Sequence, residues 1–159
     1  MKPSVIVWDL ETVPDLGGFA AANNLVGKTD ADIRAALGNQ FPKHIYHSII
    51  CIGALIAYRE PDHWVVDAVG TPHVGERTEE QLIASFCDKI AELTPQLVTF
   101  NGNTFDLPVL RYRAMIHGVA APDWLPGLTS TSRRSLRIAR RTLSTRIGFG
   151  CDMSYSVAD

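Results

Sequence analysis

The sequence predicts an α/β domain built on a mixed sheet, and three stretches carry that reading. Residues 4–14, SVIVWDLETVP, open with the apolar run Val5-Ile6-Val7-Trp8 and pass at once into Asp9 and Glu11, the pattern of a buried strand that ends in charge. Residues 49–58 and 63–69, IICIGALIAY and HWVVDAV, flank Glu60-Pro61-Asp62 and read as an antiparallel hairpin around a tight turn. Residues 79–117 then run helix, short strand, tight loop, helix, an alternation that belongs to α/β folds.

The totals suit this class. A chain of 159 residues with 46% apolar and 20% charged side chains is one domain with a real core. The apolar run near the N-terminus is only four residues and meets an acidic pair, so neither a signal peptide nor a membrane span is read there. Three widely spaced cysteines, Cys51, Cys87 and Cys151, with no CxxC, predict buried thiols in a reducing, cytoplasmic setting. Charge is unevenly spread. Residues 1–128 hold 9 Lys and Arg against 15 Asp and Glu, a net of -6, whereas residues 129–159 hold 6 Arg against 2 Asp, a net of +4.

Taken in order, the first strand presents Asp9 and Glu11 on one side, because residues i and i+2 of a strand point the same way. Two carboxylates so placed suit a hard divalent cation. Pro14 ends the strand. Residues 16–48 form an insertion beside this acidic pair, in which Gly17-Gly18 reads as a turn or flexible spot. Within it, 29–37 reads as a short helix capped by Thr29 and stopped by Gly38. Phe41-Pro42-Lys43-His44 leads into the second strand, which is apolar on both faces and so is expected in the middle of a sheet covered on both sides. Trp8 and Trp64 are expected as core aromatics. The helix at 79–93 starts with a capping box, Thr78 and Gln81, and carries one apolar stripe, Leu82, Ile83, Phe86, Ile90 and Leu93. Residues 96–100 form the next short strand. Asn101-Gly102-Asn103-Thr104-Phe105-Asp106 follows, and the last helix, 106–117, ends at Gly118. Asp106 falls in the first turn of that helix, whose positive end favours a carboxylate. A helix cap and a functional acid are both open for it.

Asp9-Leu10-Glu11-Thr12 resembles the first motif of DEDD exonucleases, and Asn101 to Asp106 resembles the second, NGxxFD. WDLETVPD and TFNGNTFDLPVL are phrased as in bacterial 3'-5' exonucleases related to the exonuclease domain of family B DNA polymerases, and the resemblance covers residues 4–118. It implies a ribonuclease H-like mixed sheet flanked by helices, with the first three strands antiparallel. It also implies that Asp9, Glu11 and Asp106 are catalytic metal ligands for two Mg²⁺ or Mn²⁺ ions, that Leu10 and Thr12 touch the 3'-terminal nucleotide, and that Asn101 and Phe105 support substrate binding.

The resemblance calls for a third motif, a Tyr or His followed three or four residues later by Asp in a later helix. Tyr155 and Asp159 match it in letters only, in the last five residues. His117 lies too early and lacks the following Asp. The domain is therefore expected at 1–118 and truncated at its C-terminus, with 119–159 an Arg- and Ser-rich tail unlike the family. Within that tail, 135–143 could form a short basic helix. The implied function is metal-dependent exonuclease action on a single-stranded DNA 3' end, releasing nucleoside monophosphates, weak or absent without the third motif. Two alternatives stand beside it: a non-catalytic ribonuclease H-like domain that binds nucleic acid or protein, and a 3'-5' exoribonuclease.

Overall fold

A computed structural model describes residues 2–100 and 102–120. Four strands form one sheet in the order β3-β2-β1-β4: β1 Ser4–Pro14, β2 His47–Arg59, β3 Trp64–Gly70 and β4 Gln96–Val98. Among the described residues the helices are α1 Leu16–Ala22, α2 Asp30–Leu37, α3 Glu79–Leu93 and α4 Asp106–His117, with a 3-10 turn at His44–Tyr46. Neighbours β1, β2 and β3 are antiparallel, and β4 lies parallel to β1. This is the mixed, ribonuclease H-like sheet that the sequence predicts.

β1 explains the placement of the acidic pair. Ser4, Ile6, Trp8 and Leu10 are buried along one face, while Val7, Asp9, Glu11 and Val13 are exposed on the other. The buried face meets Ile49 and Ile52 of β2, Leu82, Ile83, Phe86, Cys87 and Ile90 of α3, and Leu107, Val109, Leu110 and Ala114 of α4 in one core. Trp8 and Phe86 pack ring against ring at 4.9 Å. Beside Asp9 and Glu11 the pairing with β2 slips: Glu11 faces Cys51 but Thr12 faces Ile49. Such a bulge bends the strand and re-aims the side chains beyond it.

The hairpin, α2 with its Thr29 capping box and Gly38 terminus, α3 with its Thr78–Gln81 capping box, and α4 ending at Gly118 in the left-handed region (φ 65) all stand where the sequence places them. Three expectations need correction. Residues 16–22 are helical rather than a turn at Gly17-Gly18. Asp15 caps this helix by accepting from the Gly18 amide at 2.8 Å, and glycines in a first turn are fixed by their cap. Trp64 is 46% exposed rather than core, because β3 is the sheet edge and is exposed throughout; the Arg59 guanidinium lies over its ring at 5.6 Å. β2 is central but not evenly covered, with Gly53, Ala54, Leu55 and Ile56 only half-buried. Cys51 and Cys87 are buried. The tail features, Cys151, the 135–143 helix and Tyr155 with Asp159, lie outside the described residues, as does Asn101.

One buried ionic cluster ties these elements together. Arg113 of α4 is 5% exposed. Its Nε and Nη2 donate to the Glu79 carboxylate at 2.7 and 2.5 Å, and its Nη1 donates to Asp15 at 2.6 Å. Glu79 also accepts from the Ile49 amide at 2.6 Å and meets His117 Nε2 at 2.9 Å. A planar guanidinium suits this forked geometry, which an ammonium could not reproduce. Burial pushes the Glu79 carboxyl up, but hydrogen bonds from Arg113, His117 and the Ile49 amide outweigh it and leave the carboxyl below its ordinary 4.5.

Arg113→Met is expected to cost about 3–5 kcal/mol, because it strands two carboxylates, and urea unfolding at pH 7 measures it. Arg113→Met with Glu79→Leu should lose less than the single variant. Glu79 binds fewer protons folded than unfolded, so its contribution is present above 4.5 and is lost as pH falls from there through the folded value. A pH series of unfolding midpoints for Glu79→Gln should lack that acid limb.

Candidate active site

Two elements deliver the acidic residues. Asp9 and Glu11 stand exposed on the same face of β1. Asp106 is 2% exposed, at the start of α4, just beyond β4, which runs parallel to β1. The helix cap is Phe105, with no side-chain cap bond, and the Asp106 carboxylate instead accepts a short hydrogen bond from the Thr99 hydroxyl. Asp106 is therefore not a capping residue. Burial first, and then the charge of Asp9, push its carboxyl up from the ordinary 3.8, while Thr99 pulls it down. The helix end does not outweigh burial here.

The loop before α4 is shaped to hold this acid. Gly102 is buried, and its carbonyl accepts from the Leu107 amide at 2.9 Å. A Cβ at Gly102 would collide with Cγ2 of Thr99. The glycine is needed so that Thr99 can approach the loop and reach Asp106.

A second layer of residues surrounds the C-terminal end of β1. His47 is 4% exposed. Its Nε2 lies 3.2 Å from the Pro42 carbonyl and its Nδ1 lies 3.0 Å from Thr12 Oγ1. Burial, and more weakly His44, hold this ring below the usual histidine range against the opposing pull of the Pro42 contact. A carbonyl only accepts, so Nε2 carries the proton and the neutral ring offers a lone pair at Nδ1. The Thr12 hydroxyl therefore donates to His47 and keeps its own lone pairs to accept another hydrogen bond. Phe105 packs edge-on to the same ring at 5.1 Å, and Phe41 lies 5.0 Å from His47 and 5.6 Å from Phe105.

The expected site residues thus fall into three groups. Asp9 and Glu11 share the exposed face of β1, and Asp106, at the head of α4, feels the charge of Asp9. Thr12 and Phe105 meet through His47. Leu10, at 6% exposed, lies in the core beneath the acidic pair. Among the described residues no group of three or more His, Cys, Asp or Glu side chains is close enough to hold a metal ion. The donors are nonetheless of the right kind. They are hard carboxylate oxygens, and one is a buried acid whose ionisation is opposed by its neighbour, a repulsion that a bound Mg²⁺ or Mn²⁺ would relieve. Phe41, His44 and His47 escape a reading of the sequence. Their only signal is aromatic and imidazole rings clustered at 41–47, and nothing local ties those rings to Phe105.

A ribonuclease H-like mixed sheet with acidic residues on β1 and at the start of α4 is the architecture of DEDD-type exonuclease domains. Residues 39–137 match the family described as predicted 3'-5' exonucleases related to the exonuclease domain of PolB, and the chain belongs to that family. The match includes the loop from Asn101 to Asp106 and begins after Asp9 and Glu11. No curated protein matches the chain. Among the described residues no helix is long and apolar enough to cross a membrane.

Folded Asp106 keeps its proton to higher pH than an unfolded Asp, so its ionisation lowers stability as pH rises from 3.8 through the raised value. Asp106→Asn should raise the thermal midpoint in EDTA at pH 7, and added Mn²⁺ should stabilise the parent but not the variant. Scanning fluorimetry measures both. An unchanged or lower midpoint in EDTA would show that Asp106 carries no such penalty.

Proposed function

We propose that this chain is a divalent-metal-dependent exonuclease that removes nucleoside monophosphates from a single-stranded DNA 3' end. The observation that carries this reading is the family match over residues 39–137, with Asp9 and Glu11 on one exposed face of β1 and buried Asp106 at the head of α4 beside it. These three carboxylates are the proposed catalytic ligands for Mg²⁺ or Mn²⁺. When bound, such ions supply charge relief at the phosphate and a more acidic water.

The chain's own residues do the rest. Thr12, its proton committed to His47, accepts a hydrogen bond from the terminal 3'-hydroxyl. Phe105 gives the terminal nucleoside an apolar wall. Asn101 belongs to the same motif and supports the loop. Leu10 acts from beneath by fixing the strand between the two carboxylates. Hydrolysis at the last phosphodiester then leaves the 3'-oxygen on the shortened strand and the phosphate on the released nucleotide.

Turnover is slow in this reading. His117, the ring nearest in type to the expected third motif, is engaged by Glu79 at 2.9 Å, and the absence of a base positioned at the acids among the described residues lowers rates by roughly 10²–10⁴-fold. Residues 1–118 are taken as the described nuclease part, the family match itself running on to residue 137, and the arginines after residue 129 can meet phosphates non-specifically. Buried thiols, with that of Cys87 pushed up to about 11 by burial and then by Asp88, fit a reducing compartment, and we place the chain in the cytoplasm. A second reading is a nucleic-acid-binding domain without catalysis. It is favoured by the lack of a three-ligand group among the described residues.

Purified protein should shorten a 5'-labelled single-stranded DNA from its 3' end in Mn²⁺, and the ladder should vanish in EDTA and in Asp9→Ala. A folded protein that binds the strand but yields no ladder would favour the second reading. One that neither binds nor trims would remove both.

A further inference from the structure

We infer that the ring of Phe41, backed by Phe105 and His47, is a stacking platform for the unpaired base at the 3' end of the bound strand. This rests on the nuclease reading above and adds a base-binding subsite to it from the insertion between β1 and β2.

Phe41 is 72% exposed, yet it stands on an anchored support. Pro42 follows it and restricts its backbone to extended conformations. The Pro42 carbonyl is bound by the buried His47 ring at 3.2 Å, and the Lys43 carbonyl accepts from the Tyr46 amide at 2.8 Å. The 3-10 turn is held in turn by the Asp15 amide, which donates to the Tyr46 carbonyl at 2.8 Å, and by Phe19 packing edge-on to Tyr46 at 5.1 Å. A large apolar ring is thus held at the surface with its support in place before any ligand arrives.

Its position gives it an occupant. Phe41 lies 5.6 Å from Phe105, the residue immediately before Asp106, and 5.0 Å from His47, which binds Thr12, the residue after Glu11. Acids and platform therefore share one end of β1. His44 adds a further ring 5.9 Å from Phe105. Every nucleobase has a π-face, and stacking on an aromatic side chain needs no hydrogen-bond readout, so the platform is sequence-tolerant. A base already paired and stacked in a duplex presents no free face, which makes the platform selective for an unpaired end.

The test reads binding rather than trimming. A short single strand carries 2-aminopurine as its 3'-terminal base, and the full chain is titrated in Ca²⁺ with fluorescence and 5'-label anisotropy recorded together. The parent should bind and quench the 2-aminopurine. Phe41→Ala should weaken binding roughly 5- to 150-fold, the worth of one stacked base at tenfold per 1.4 kcal/mol, and abolish the quench. Phe41→Trp should keep both, and Phe41→Leu, apolar but without a π-face, should behave like the alanine variant. Because the side chain is exposed, all three should unfold at the parent's midpoint. Undiminished binding and quenching in Phe41→Ala, or full affinity in Phe41→Leu, would overturn the platform while leaving the nuclease reading intact. A parent that binds no strand would overturn both.

Discussion

The Arg113 cluster is the constraint on which the rest depends. One guanidinium joins Asp15, at the end of β1, to Glu79, at the start of α3, and Glu79 also holds the Ile49 amide of β2. These three partners are distant in sequence, and Arg113 lies on a fourth segment, the helix that begins with Asp106. The strand that offers Asp9 and Glu11 and the helix that offers Asp106 are thereby held in one relation. A buried ion pair of this kind adds little net stability over a well-packed apolar set. Its value here is geometric, since a guanidinium bound on several sides leaves little freedom to slide.

Within that frame the acidic residues divide by environment. Asp9 and Glu11 keep their water because β1 turns one face to the core and the other to solvent. Asp106 is buried, accepts a hydrogen bond from the Thr99 hydroxyl, and feels the charge of Asp9. Two environments set by the fold thus separate acids of one type into an exposed pair and a buried one.

Much of this was legible in the chain itself. α3 and α4 follow from local signals: a capping box, an apolar stripe and a terminal glycine act within a turn or two of the residues they govern. The hairpin follows for the same reason. α1 was not legible, because Gly17-Gly18 disfavours a helix and only the Asp15 cap, itself held by Arg113, offsets that. Trp64 was misread because an apolar strand shows its pattern whether it lies at the centre of a sheet or at its edge, and strand order is a long-range property.

The acidic motif residues are a matter of sequence alone. A strand's period of two puts Asp9 and Glu11 on one side and a helix's first turn takes Asp106, which is local geometry, while their phrasing resembles the motifs of one exonuclease family. Only the tertiary structure decided their states. The raised carboxyl of Asp106, the tautomer of His47 that commits the proton of Thr12, and the meeting of Phe41 with Phe105 across 64 positions all come from side chains far apart in the chain. Burial and electrostatic fields are set by whatever folds nearby, and no local pattern encodes them.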